Sequence, residues 1–118
     1  MGGGNPVPDE EADGWRAEVH ALVVQIPPGR VMTYGLIAEV LADRAAAAGR
    51  RPRGGPRQVG RAMAQGGDVP WWRVVRADGG LPACHEGRAL AHLRAEGTPL
   101  TPDGARVRVR RAVWFPED

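Results

Sequence analysis

The chain has 118 residues, 42% hydrophobic and 25% charged, enough for one folded domain with its own core. No run of residues is long and apolar enough for a membrane-spanning helix, and the start MGGGNPVPDEEADG is neither a basic leader nor an apolar signal, so a soluble cytoplasmic protein is expected. The single cysteine, Cys84, excludes an internal disulfide and leaves a cysteine-based zinc site short of ligands.

The net charge of +2 hides a segregation along the chain. Up to Val40 there are six acids and two arginines; from Arg44 to Arg61, in RAAAAGRRPRGGPRQVGR, there are six arginines and no acid. Such a local positive field attracts polyanions, nucleic acid foremost, although a solvated face has the same composition. All sixteen basic residues are arginine, consistent with a compositional habit that also favours alanine.

Residues 1 to 12 have the Gly, Pro and acid content of a disordered tail, and residues 13 to 118 read as the single domain. Asp13 is placed to cap a first helix in which Trp15, Val19, Leu22, Val23 and Ile26 share one face, stopped by PPG at 27 to 29. Thr33 is a good N-cap for a second helix, with Leu36, Ile37, Val40 and Leu41 as its buried stripe. Pro52, Gly54 and Gly55 break the chain, and Pro56 suits the first turn of a third helix, PRQVGRAMAQ, ended by Gly66 and Gly67. Two helices so joined fit a helix-turn-helix whose second helix carries Arg57 and Arg61, with a joint longer than a tight turn. Further on, WWRVV (71 to 75) reads as a strand and Asp78-Gly79 as a turn. A helix over Glu86 to Glu96 packs through Leu90 and Leu93 and stops at Gly97, and RVRVR (106 to 110) alternates like a basic edge strand.

The unusual feature is the pair Trp71 and Trp72, two of only six aromatic residues, set between Pro70 and Arg73. In chain order the sequence presents IPPGRVMTYGLIAEVLA, RQVGRAM, VPWWRVVRADGGL and LRAEG. This series, from Trp15 to Gly97, resembles the DNA-binding and active-site domain of the O6-alkylguanine-DNA alkyltransferases. Trp71 stands where that family keeps its alkyl-accepting cysteine, and Trp72 where it keeps the histidine that activates it. Glu96 matches the histidine's acidic partner, and Gly66 falls where the family has an asparagine. Alkyl transfer needs a thiolate and a base to make one, and an indole is neither. Tryptophan at the acceptor position is the mark of the alkyltransferase-like proteins, which recognise the lesion without removing it.

The resemblance implies a mainly α fold with a short β-hairpin, a winged-helix-like helix-turn-helix domain of the alkyltransferase C-terminal type. It implies a non-enzymatic, monomeric damage sensor acting at the nucleoid without a cofactor. Its partners would be double-stranded DNA containing O6-alkylguanine and the proteins of nucleotide excision repair. The helix with Arg57 would enter the minor groove, Arg57 filling the stack in place of the extruded nucleotide. Thr33, Tyr34 and Arg61 would contact the DNA backbone, Tyr34 at the 3′ phosphate. Trp71 and Tyr34 would wall the lesion pocket, the loop with Cys84 would form its lip, and Arg73 would hydrogen-bond beneath it. If WWRVV is a strand, Trp72 faces away from the pocket, toward the core or the Glu96 helix. Two alternatives stand beside this: alkyl transfer to Cys84, whose PACH context echoes the lost motif, and a helix-turn-helix DNA binder without lesion preference. A metal site from Cys84, His85 and His92 is the weakest of the options.

Overall fold

The computed structural model describes the backbone of residues 8–82 and 85–116 and the side chains from Gly14 onward, so Cys84 and residues 1–7 of the expected tail lie outside the described residues. Helix α1 spans Pro8–Gln25. It starts ahead of Asp13, the expected cap, so residues 8–12 of the expected tail are helical; Pro8 supplies the first-turn start expected of Asp13. Its inward face is the anticipated one, with Val19, Leu22, Val23 and Ile26 buried. Strand β1 is only Met32–Thr33. Thr33 then caps helix α2 (Tyr34–Ala47) with extended backbone and its Oγ1 accepting from the Leu36 N–H at 3.0 Å.

Helix α3 (Pro56–Ala64) begins with proline in its first turn. The Gln58 side chain reaches back to accept from the Gly55 N–H at 2.9 Å, one half of a capping box. The joint between α2 and α3 is fastened to α1: Glu18 accepts from Arg53 at 3.0 Å and lies 3.9 Å from Arg50, while Trp15 Nε1 donates to the Gln58 carbonyl at 3.0 Å. His20 Nε2 meets the Ala62 carbonyl at 3.1 Å, so α1 grips both ends of α3.

The expected strand over 71 to 75 is shorter than its composition suggested. Trp71–Arg73 form a 3₁₀ turn, and only Val74–Val75 (β2) are strand. Pro70 leads into the turn with φ −74° and ψ 70°, and its carbonyl accepts from the Arg73 N–H at 3.0 Å, so the tryptophans coil rather than alternate. The expected hairpin is replaced as well: β1 and β2 pair in parallel, Met32 opposite Val74 and Thr33 opposite Val75. Parallel neighbours need a long crossover, here α2 and α3.

Although tiny, this sheet divides the interior. Met32 and Val74 point into one apolar cluster, with Val19, Leu22, Ile26, Ile37 and Val59. Val31 and Val75 point into a second, with Leu81, Ala89, Leu93, Val107 and Ala112. The two-residue period of extended chain thus feeds two cores from one short ladder.

After β2 the Asp78-Gly79 turn forms as anticipated, with Gly79 at φ 83° and the Gly80 N–H donating to Asp78 Oδ1 at 2.8 Å. Any side chain at Gly79 would put its Cβ 2.0 Å from the Val107 carbonyl oxygen, so only glycine fits. Helix α4 spans Glu86–Ala95 with Glu96 as C-cap and Gly97 at φ 73° beyond it. The expected 106 to 110 edge strand is absent. Val107 makes one antiparallel bridge to Leu100, its N–H donates to Gly79 and that of Arg108 to Pro99, and the chain then turns into a short helix α5, Val109–Ala112. Its bonds are shared among separate segments, so no continuous partner strand exists. No described helix is long and apolar enough to cross a membrane.

Candidate nucleic-acid interface

Helices α2 and α3 pack on each other and present the expected basic side chains outward. Arg57 and Arg61, one turn apart on α3, are exposed, while Val59 and Ala62 on its inner side are buried. Neither arginine makes a hydrogen bond or ion pair with a described residue. That face continues through Gly60, where a Cβ would lie 3.9 Å from Tyr34 Cε1, an ordinary contact distance. Tyr34, the first residue of α2, packs half-buried against the first core. Thr33, half-buried beside it, has its oxygen engaged in the cap, leaving its O–H to donate elsewhere.

A cavity of about 400 Å³ opens where the two cores meet. One wall is the C-terminal half of α3 and the loop beyond its end, Gly60, Met63, Ala64, Gly66, Gly67 and Val69; the other is Trp71, Pro82, His85 and Arg88. Its volume falls within the roughly 300–1,000 Å³ of small-molecule sites. Gly67, at φ 127°, would place a Cβ 2.7 Å from the His20 ring, so the wall here depends on its lacking a side chain. Larger hollows flank the outer side of α2, without Trp71.

The two tryptophans have different surroundings. Trp71 turns its ring edge-on to Trp72, with centroids 5.7 Å apart, and lies within 5.5 Å of the His85 ring and 6.0 Å of the His92 ring. Trp72 is stacked flat on His92, 3.8 Å between centroids and 10° between planes. Its indole Nε1 donates to Glu96 Oε2 at 2.9 Å, so Trp72 does face the Glu96 helix, as a 3₁₀ turn also allows. Arg73 donates through Nε and Nη2 to Glu96 and through Nη1 to the Ile26 carbonyl at 2.8 Å, the hydrogen bonding beneath the pocket that its place in the motif implied. The Gly29 N–H donates to Glu96 Oε1 at 3.2 Å. Burial pushes the Glu96 carboxyl up, but the bonds from Arg73, Trp72 and Gly29 outweigh it and hold the group below the usual carboxylate range.

The structure thus gathers Trp71, Trp72, Arg73 and Glu96 at one point, while Tyr34, expected as a wall, is not among the cavity's lining residues and Arg57 and Arg61 lie on the open face of α3. Sequence reasoning passed over Arg88 as a lining group and His92 as the ring stacked on Trp72. The signal was available: His85, Arg88, His92 and Glu96 recur at spacings of three and four, one stripe of a helix, beside the buried Ala89 and Leu93. His85 and His92 are ring contacts of the tryptophans, and among the described residues, which do not include Cys84, no three His, Cys, Asp or Glu side chains come together as metal ligands.

Fold and site define a small helical domain whose paired helices offer exposed arginines beside an aromatic-walled cavity, the outline of a DNA-binding protein. Residues 14–98 match the family model described as 6-O-methylguanine DNA methyltransferase, DNA binding domain, and the chain belongs to that family. It is similar to the DNA base-flipping protein of Vibrio parahaemolyticus, serotype O3:K6, strain AQ3810: 32% identical over 111 residues, 88% of this chain and 99% of the relative. It also resembles two crystal structures of S. pombe proteins. One is Atl1 in complex with damaged DNA containing O6-carboxymethylguanine, at 30% identity and TM-score 0.67. The other is ATL in complex with DNA, at 29% identity and TM-score 0.69. Each covers 88% of this chain and 97% of the other. The likeness is to the alkyltransferase-like members.

Proposed function

We propose that the chain is a non-enzymatic sensor of alkylated DNA, which binds the duplex as a monomer, rotates an O6-alkylguanine out of the stack and holds it against Trp71. The observation that carries this is the position of the Trp71 indole: on the wall of a cavity, where the family keeps a reactive sulfur, with the neighbouring Trp72 bonded to Glu96 where a base would stand. A stacked aromatic contributes about 1–3 kcal/mol to a held base, comparable with the few kcal/mol that flipping costs, and alkylation lowers that cost by weakening the pair. Arg57 fills the gap left in the helix; Tyr34, Thr33 and Arg61 hold the phosphates. The relatives named above, one a base-flipping protein and one bound to O6-carboxymethylguanine DNA, support the same assignment. The held base then flags the site for nucleotide excision repair.

The test is competition between duplexes with and without O6-methylguanine at near-physiological salt, followed by mass measurement of the protein. Tighter binding to the damaged duplex with an unchanged protein mass is expected. Equal binding would make the chain a helix-turn-helix protein without lesion preference, and a methyl-mass gain would make it an alkyltransferase using Cys84.

A further inference from the structure

The basic joint between α2 and α3 has no task in the proposed function. It is a fixed segment rather than a loose loop. Helix α2 ends in paired backbone bonds around Gly49 (φ 72°), the Gly49 N–H donating to the Ala46 carbonyl at 3.0 Å and the Arg50 N–H to that of Ala45 at 2.7 Å. At the other end a Cβ on Gly54 would come 2.6 Å from the Gln58 Cβ, and the Gly55 N–H donates to the Gln58 side chain. Between these anchors Arg50, Arg51 and Arg53 are all exposed. Glu18 on α1 accepts from Arg53 at 3.0 Å and lies 3.9 Å from Arg50, one carboxylate for two guanidiniums, whose side chains stay 43% and 46% exposed. Arg51 makes no hydrogen bond or ion pair with a described residue. A hollow lined by Thr33, Gly35, Gly54 and Pro56 joins the joint to the start of α2, and Arg53 lies four residues ahead of Arg57. The joint therefore extends the side on which Thr33, Arg57 and Arg61 are proposed to meet DNA. Glu39 lines the same hollow without an ion pair to a described residue.

We propose that this joint is a second, lesion-independent binding site for DNA phosphates, Arg51 contacting the backbone directly while Arg50 and Arg53 exchange Glu18 for phosphate as the duplex docks. The inference goes beyond the base-pocket reading and requires only that the chain binds DNA. Three cations face one carboxylate here, so the joint keeps a positive surplus even with Glu18 engaged. Ion pairs this exposed contribute little, so giving up Glu18 costs little, and phosphate oxygens offer each guanidinium the same forked pairing. Because folding has already ordered the backbone, binding does not have to order it again.

The experiment measures affinity across a salt series for a duplex of about two helical turns, either undamaged or with one O6-methylguanine. Arg51→Gln breaks no contact with a described residue and leaves the Glu18 bonds in place. It should weaken both duplexes alike, by about fivefold near physiological salt, and lower the slope of log affinity against log salt by about one. Glu18→Gln should strengthen both duplexes by about twofold, since phosphate then meets no internal competitor. Arg94→Gln removes the same charge from the last turn of α4 and should leave the slope as it is. An unchanged slope in Arg51→Gln overturns the proposal, as does an equal change in Arg94→Gln, which would assign the effect to net charge. Loss confined to the damaged duplex would make Arg51 a lesion contact, and also overturns it. Binding weakened or unaltered by Glu18→Gln overturns the exchange, leaving the ion pairs as a fastening for the joint. Failure of the base-pocket reading shows separately, as equal wild-type binding of the two duplexes with the Arg51→Gln effect intact.

Discussion

The two halves of the molecule are held together by different forces. The half built from α1, α2 and α3 relies on a continuous apolar cluster, and its arginines on α3 are exposed, with no hydrogen bond or ion pair to a described residue. The half built from the Trp71–Arg73 turn and α4 has a smaller apolar cluster braced by Arg73 and Glu96, whose side chains are 13% and 14% exposed. On the proposed function, grip on DNA can therefore be altered in the first half with little structural disturbance. In the second half the residues that shape the cavity are also tied to those that keep the fold intact.

The sharpest way to break this contrast is to remove an arginine from each half. Arg73→Ala strands a largely buried carboxylate and should lower unfolding free energy by about 3 kcal/mol in urea titration, whereas Arg57→Ala should stay within about 0.5 kcal/mol of wild type. Similar losses from both would abolish the distinction. Trp71→Ala comes next. It should cut the preference for O6-methylguanine DNA about tenfold, the equivalent of one lost stacking contact, and change undamaged-duplex affinity less than about twofold in a fluorescence titration. Equal loss on both duplexes would assign Trp71 to core filling alone. Arg57→Ala should weaken binding to the damaged duplex by about fivefold, losing the stack-filling group where a base must leave the helix. Unchanged lesion affinity would remove that role. Arg61→Ala should act on both duplexes alike and reduce the steepness of the salt dependence by about one, measured from affinity against salt concentration.

The smallest effect is a pH effect. The Glu96 carboxyl titrates lower in the folded chain than in the unfolded one, so its contribution is complete above the ordinary carboxylate range and lost as pH falls through the depressed folded value. Glu96→Gln should therefore flatten the acid limb of stability against pH. An unaltered acid limb would show that Glu96 is not the group responsible.

Local chemistry made much of this legible in advance. The inward face of α1, the Thr33 cap, the Pro56 start and the Asp78-Gly79 turn all depend on near neighbours, and the structure has them where the sequence places them. Expectation and structure part where distant segments decide. Val74 and Val75 pair with β1 from across two helices, which no local pattern announces, and the turn led by Pro70 takes both tryptophans out of the strand. The alternation at 106 to 110 promised a strand, but Val107 finds only single partners in separate segments. At the site, Trp71 and Glu96 were marked by family resemblance, while Arg88 and His92 required seeing that α4 presents one stripe to the tryptophans.

Both oxygens of the Glu96 carboxylate are occupied, one by Gly29 and Arg73, the other by Trp72 and Arg73. An acid so engaged has no spare lone pair directed at a proton relay. A thiol placed at position 71 alone would thus have no neighbouring base to raise its thiolate fraction, and a return to chemistry would demand that position 72 change as well. On the proposed function, then, damage recognition is not a repair reaction paused by one missing atom: the carboxylate that would have partnered the missing base has been built into the scaffold.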